Sequence, residues 1–184
     1  MGFASIYGLS NVTIGEISKA TELSRSGVIA HFKDKEDMQI SIVKFTELQY
    51  LEWVVEKSRD PNSLTRLENY FRCWRGWIDH LEEVHAGGSC PFIKGLIEYQ
   101  DREESGVQRY IMKQQRALIS YIARLVVRCI NDGHFKSSVD PEQFAYQAYS
   151  NYFGYNVAKS MFGKEEAKSR SQAAIKSLIQ VSLV

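Results

Sequence analysis

Thr13-Ile14-Gly15-Glu16-Ile17-Ser18-Lys19-Ala20-Thr21-Glu22-Leu23-Ser24-Arg25-Ser26-Gly27-Val28-Ile29-Ala30-His31-Phe32 holds two helix starts in one short stretch. Thr13 followed three residues later by Glu16 is a capping box, in which the hydroxyl takes the Glu16 amide and the carboxylate reaches back. Ile14, Ile17 and Ala20 then share one face over two turns. Thr21-Glu22-Leu23 is a tight connection. Ser24 caps a second helix, predicted over residues 25–32, with Val28 and Phe32 turned inward. Two short helices joined by so short a turn make a helix-turn-helix. The second helix offers Arg25, Ser26, Gly27, Ala30 and His31 to solvent. Its small residues let a helix backbone approach a groove closely, and Arg25 stands at the end where such helices touch base edges. Asp34 caps a third helix, with Lys35 in its first turn.

Outward from this stretch, the chain has 184 residues, 44% hydrophobic and 24% charged, the balance of a soluble globular protein rather than a disordered or repetitive one. Lys and Arg number 23 against 22 Asp and Glu, so no global field advertises a polyanionic partner. Cys73, Cys90 and Cys129 are odd in number and widely spaced, which argues against a disulfide framework and fits free thiols in a reducing cytosol. The first residues lack the basic region of a signal peptide, and no apolar run approaches membrane-span length. A cytoplasmic protein without a membrane partner is expected.

The rest reads as helix. Each of the three prolines follows a capping candidate, in Asp60-Pro61, Cys90-Pro91 and Asp140-Pro141, and so starts a helix rather than breaking one. Val107, Ile111, Leu118, Ile122, Leu125, Val126 and Cys129 recur at helical steps over 106–130, and Asn131-Asp132-Gly133 stops that helix. Two last helices are predicted at about 141–162 and 165–184, divided by Gly163. No alternating strand pattern and no long repeat occurs. The expected fold is all-α, with a boundary inside a long connecting helix near Val43 to Glu47.

Residues 13–38, from Thr13 through His31-Phe32 to Lys35-Glu36-Asp37-Met38, resemble the N-terminal domain of tetracycline-repressor (TetR) type regulators. Small residues, the His-Phe pair and the Lys after a cap recur at that family's spacing, over about a quarter of the chain. The resemblance implies a helix-turn-helix DNA-binding domain at 1–45, its first helix shortened, and a helical ligand-binding and dimerisation domain at 46–184. It implies a homodimer that binds a double-stranded operator and leaves it when an unknown small-molecule effector binds. Carried over by position, Ser24, Arg25, Ser26, Gly27 and Ala30 would face the major groove, and Thr13, His31 and Lys35 would touch phosphates. Three features depart from the pattern. Glu22 replaces a turn glycine, at a cost on the order of 1 kcal/mol for positive φ. Ile29 replaces a Tyr that touches the DNA backbone. Only Met1 to Tyr7 precede Gly8, where the family has a basic arm and a full helix. Residues 1–46 balance Lys19, Arg25, Lys33, Lys35 and Lys44 against Glu16, Glu22, Asp34, Glu36 and Asp37. Weak DNA binding by the segment as written, and a shortened or miscalled start, are expected.

The middle of the chain is aromatic. A cavity lined by Phe71, Trp74, Trp77, Tyr99 and Tyr121, with Phe92 and Cys90 nearby, would suit a flat, partly polar organic ligand, although each residue taken alone reads first as core. Cys90 at a helix N-terminus is a candidate sensing thiol, set against a buried, unreactive Cys. Tyr149, Tyr152, Phe153, Ile175, Leu178 and Ile179 exceed what one helical pair buries and point to a four-helix seam between two copies. Glu82-Glu83-Val84-His85 contains one Glu-x-x-His without a second copy, and no Walker loop, Gly-x-Ser-x-Gly or zinc-protease motif occurs. No enzyme, metal or cofactor is expected. A second reading is a small-molecule- or thiol-sensing helical dimer that no longer binds DNA.

Overall fold

Four short polar side chains decide where helices begin. Thr13 Oγ1 accepts the Glu16 amide (3.2 Å), Ser24 Oγ the Gly27 amide (3.1 Å), Asp34 Oδ1 the Asp37 amide (2.8 Å), and Asp140 Oδ1 the amides of Glu142 (2.9 Å) and Gln143 (3.2 Å). Each satisfies a backbone donor that the first helical turn leaves without a partner. In the computed structural model, which describes residues 1–85 and 88–184, these caps open α2 (Ile14–Thr21), α3 (Arg25–Ile29), α4 (Lys35–Tyr50) and α8 (Pro141–Phe162). The other helices among the described residues are α1 (Gly2–Tyr7), α5 (Ser63–Val84), α6 (Pro91–Tyr99), α7 (Gly106–Asn131) and α9 (Lys164–Ser182), and α4 runs on into a π-helical segment, Leu51–Glu56. The fold is all-α: the described residues contain one isolated bridge, Phe135 to Leu183, and no strand.

Pro91 and Pro141 stand at the first helical turn as expected. Pro61 does not. Asp60 accepts the Asn62 amide (2.9 Å), and Asn62 Oδ1 accepts the Thr65 amide (2.9 Å), so the cap of α5 falls two residues later than Asp60. Gly133 (φ 75°) follows the end of α7, and Gly163 (φ 83°) separates α8 from α9. Of the expected loop before α6, Gly87 lies outside the described residues. Gly88 to Cys90 carry no regular structure.

By packing, the chain forms two units. One joins Met1–Trp53 to Gly76–Gln114, and the other joins Val54–Arg75 to Gln115–Val184. The first is built on Leu9, Val12, Val28, Met38, Val43, Trp77, Leu81, Phe92, Val107 and Ile111, all buried. The second buries Leu67, Tyr70, Trp74, Ile122, Val126, Cys129, Phe135, Phe144 and Ala148. The amino-terminal helices therefore share a core with the end of α5, with α6 and with the start of α7. In the second unit α8 packs along α9, and the carboxyl terminus is pinned by Lys136 N–H to Ser182 O (2.9 Å) and Val184 N–H to His134 O (3.2 Å). No described helix is long and apolar enough to cross a membrane.

Candidate nucleic-acid interface

The α2–α3 pair is held from inside its turn. Ser18 Oγ donates to Leu23 O (2.6 Å), which closes the connection on α2, and Glu22 takes the left-handed conformation (φ 59°, ψ 12°) that ends it. This is the position where a glycine would carry no Cβ clash. Val28, 1% exposed, anchors α3 into the core. Its neighbours Arg25, Ser26, Ala30 and His31 are exposed, as expected, and Gly27 is half-covered. An added Cβ at Gly27 would lie 3.2 Å from Ser24 Oγ, so a larger residue there would crowd the cap.

Three details differ from the sequence reading. The second helix ends at Ile29 rather than Phe32, because the amides of His31 and Phe32 bond three residues back, to Val28 O (3.1 Å) and Ile29 O (3.3 Å), and Phe32 is half-buried rather than sealed in. Ala20 is exposed, so the inward face of α2 rests on Ile14 and Ile17, both only half-covered. Ile29 is 54% exposed, on the same side of the short helix as Arg25.

Thr13, Ile14, Gly15, Arg25, Ile29 and Lys35 line an open hollow of about 440 Å³. A Cβ added at Gly15 would meet Arg25 Nη2 at 3.8 Å, an ordinary contact distance, so the guanidinium lies against the start of α2. Lys35 Nζ donates to Ser10 O (2.9 Å) and keeps two further N–H donors for an anion. Thr13 Oγ1 accepts a backbone amide and its hydroxyl still has a proton to give, while Ser24 Oγ accepts an amide and shares a hydroxyl hydrogen bond with Ser26. Of the eight residues nominated from the sequence, Thr13, Arg25 and Lys35 come together on this hollow. Ser24 and Ser26, whose hydroxyls lie 3.0 Å apart, stand beside Arg25 at the head of α3.

Sequence reasoning missed what fixes these helices to the rest of their unit. Glu98 on α6 accepts the Ser10 amide (2.9 Å) in the α1–α2 turn. A Cβ on Gly8 (φ 90°) would fall 1.6 Å from the Glu98 carboxylate. Gln39 Nε2 donates to Leu9 O (3.0 Å), and Lys94 Nζ donates to Ile6 O. Glu36, one residue after Lys35, accepts the Gly106 amide (2.6 Å), Ser105 Oγ (3.2 Å) and the Val107 amide (3.4 Å), and so caps α7 from another helix. No local spacing announces bonds between residues about seventy positions apart.

The aromatic candidates divide between the two units. In one, Trp77 and Phe92 face each other at 6.5 Å between ring centroids, with Tyr50 edge-on to Trp77 at 5.5 Å. Cys90 is buried at the start of α6. Tyr99 is buried under the Arg102 guanidinium, 4.7 Å from its ring, and burial pushes its phenol above the usual range. In the other unit Trp74 lies 4.0 Å from Tyr152 and 6.5 Å from Phe71, while Tyr70 bridges to Tyr121 at 5.5 Å. Tyr121 Oη accepts from Arg66 Nη2 (3.1 Å). Among the dimer candidates, Tyr152 and Ile179 are buried in their own chain, and Tyr149, Phe153, Ile175 and Leu178 are half-buried. Tyr149 Oη donates to Gln115 Oε1 (2.9 Å). The most exposed apolar residues of α8 and α9 are Tyr146, Val157, Met161, Phe162 and Val181. Among the described residues no group of three or more His, Cys, Asp or Glu is placed to hold a metal ion.

Comparison with known proteins completes this picture. Residues 63–175 match the family model described as the tetracyclin repressor-like C-terminal domain. Among curated proteins no match was found. Solved structures share the fold along nearly the whole chain. A TetR-family transcriptional regulator from Cytophaga hutchinsonii superposes with a TM-score of 0.85 at 15% identity, over 100% of this chain and 90% of that one. A TetR transcriptional regulator from Chloroflexus aurantiacus gives 0.82 at 16%, over 100% and 92%. The reduced form of Escherichia coli NemR gives 0.75 at 17%, over 94% and 88%. The match of the carboxyl-terminal helices to the family model, joined to a helix-turn-helix at the amino end, places the chain in the tetracycline-repressor family of transcriptional regulators.

Proposed function

We propose that the chain is a dimeric, ligand-responsive regulator that holds an operator through α3 and is released from it by a small molecule, acting as a repressor. The observation that carries this reading is the exposed face of α3. Val28 alone is buried there, while Arg25, Ser26 and Ala30 are left to solvent beside Thr13 and Lys35. Arg25 serves as the base reader, since a guanidinium pairs bidentately with guanine in the major groove. Thr13, His31 and Lys35 grip phosphates, and Ser24, Ser26, Gly27 and Ala30 form the surface brought against the groove. In this reading residues 1–45 address DNA, and residues 46–184 bind ligand and pair.

The apolar residues left exposed on α8 and α9 favour a second copy as their cover. Two copies set the recognition helices one turn of DNA apart, about 34–36 Å, on a near-palindrome. The effector binds among the aromatic side chains of residues 46–184, and it releases DNA only to the extent that it binds the free form more tightly than the bound one. A gel shift with the promoter region beside the protein's own gene tests the reading. Wild type retards the fragment, Arg25→Ala abolishes retardation, and light scattering at micromolar concentration gives twice the chain mass. A folded wild type that retards no fragment from that region overturns it.

A further inference from the structure

We propose that Ile29 makes the operator carry a thymine in each half-site, recognised through its C5 methyl, about two base pairs from a guanine read by Arg25. The inference rests on reading α3 as the helix that enters the major groove. Ile29 is an aliphatic side chain 54% exposed, on a helix whose other exposed positions are Arg25 and Ser26. It lies four residues after Arg25, on the same side of α3, and both line the hollow with Thr13, Gly15 and Lys35. Four residues rise about 6 Å along a helix, close to two base-pair steps of about 3.4 Å.

The chemistry of the groove selects the base. A sec-butyl group can neither donate nor accept a hydrogen bond, so Ile29 cannot bond a phosphate in place of the Tyr it replaces, and only an apolar contact is left to it. Against guanine, adenine or cytosine edges it would strip water from polar atoms and return nothing. The thymine methyl is the one apolar group that a standard base pair shows in the major groove. Ile29 therefore attracts one base and penalises the others, which is how specificity is built from both signs. It also explains how a short helix with a single cation gains sequence information beyond one guanine.

The test uses the full chain. Duplexes retained by the immobilised protein are selected from a random pool, and the consensus is measured by fluorescence anisotropy with each thymine replaced singly by deoxyuridine, which deletes only the methyl. Wild type should lose about fourfold at one thymine per half-site, and about fifteenfold when both half-sites are changed. Ile29→Ala should bind the thymine and uracil duplexes alike, while still losing affinity when the guanine is changed. Wild-type binding that no uracil replacement weakens overturns the proposal and leaves the regulator reading standing. So does a thymine preference that survives in Ile29→Ala. A folded protein that selects no duplex overturns both.

Discussion

Glu36→Ala should destabilise the protein by about 1.5 kcal/mol, the sum of a lost helix cap and a lost favourable charge at a helix start. The carboxylate takes the Gly106 amide at 2.6 Å, a donor that the first turn of α7 cannot satisfy within the helix, and Ser105 Oγ at 3.2 Å; the Val107 amide, 3.4 Å from it, also has Ser105 Oγ at 3.2 Å. Glu36 is exposed, so water recovers part of the loss and holds the figure below that of a buried charged hydrogen bond. For a chain of this size the melting temperature should fall by about 3–6 °C. Glu36→Gln keeps an acceptor and removes only the charge, with an expected loss of about 0.5 kcal/mol. Gly106→Ala brings a Cβ to 2.9 Å from Glu36 Oε2 and displaces the same carboxylate. Its effect should therefore shrink or reverse in the Glu36→Ala background, a coupling of at least about 0.5 kcal/mol in a double-mutant cycle. Urea unfolding followed by circular dichroism gives all four stabilities. A Glu36→Ala variant within about 0.3 kcal/mol of wild type, or additive single variants, would refute the idea that α4 holds α7 through this bond.

Glu22→Gly should raise stability by about 1 kcal/mol, visible as a higher melting temperature, because Glu22 sits at φ 59° where a Cβ is strained. Tyr110 donates to Glu47 at 2.6 Å, and burial, followed by that bond and the carboxylate's charge, pushes its phenol up to about 12. The unfolded phenol ionises near 10, so between pH 10 and about 12 the folded chain keeps a proton that the unfolded chain has lost, and stability should fall as pH rises through that window. Tyr110→Phe should flatten the decline, as read from melting temperature against pH. Iodoacetamide on the native protein at pH 8 should modify half-exposed Cys73 before Cys90 and Cys129, since both of these are buried and burial pushes the Cys129 thiol up to about 11. Prior modification of Cys90, read by peptide mass mapping, would restore it as a sensing candidate.

Local chemistry made the helix starts legible. Thr13, Ser24, Asp34 and Asp140 act through bonds to amides two or three residues away, so the sequence carries their whole environment. The stop at Gly133 and the break at Gly163 follow from the same locality. Asp60-Pro61 misled because Asn62 competes for the same role one residue beyond the proline, and spacing does not rank two good caps. Glu36, Glu98 and Gln39 were invisible for a different reason. Each acts on backbone atoms thirty to ninety positions away, and a charged or amide residue on a helix surface carries no mark of such a partner. The aromatic residues were recognisable as buried, yet which rings meet depends on where α5, α6, α7 and α8 cross, which periodicity does not contain.

Guanine methylation interference on the retained promoter fragment tests the claim about α3 most directly, because methylation at N7 blocks the major-groove edge that Arg25 would pair with. Methylation of one guanine in each half-site should exclude the fragment from the wild-type complex, and in Arg25→Ala that guanine should no longer matter within whatever binding remains. An Arg25→Ala protein with wild-type affinity and an unchanged interference pattern would contradict the account.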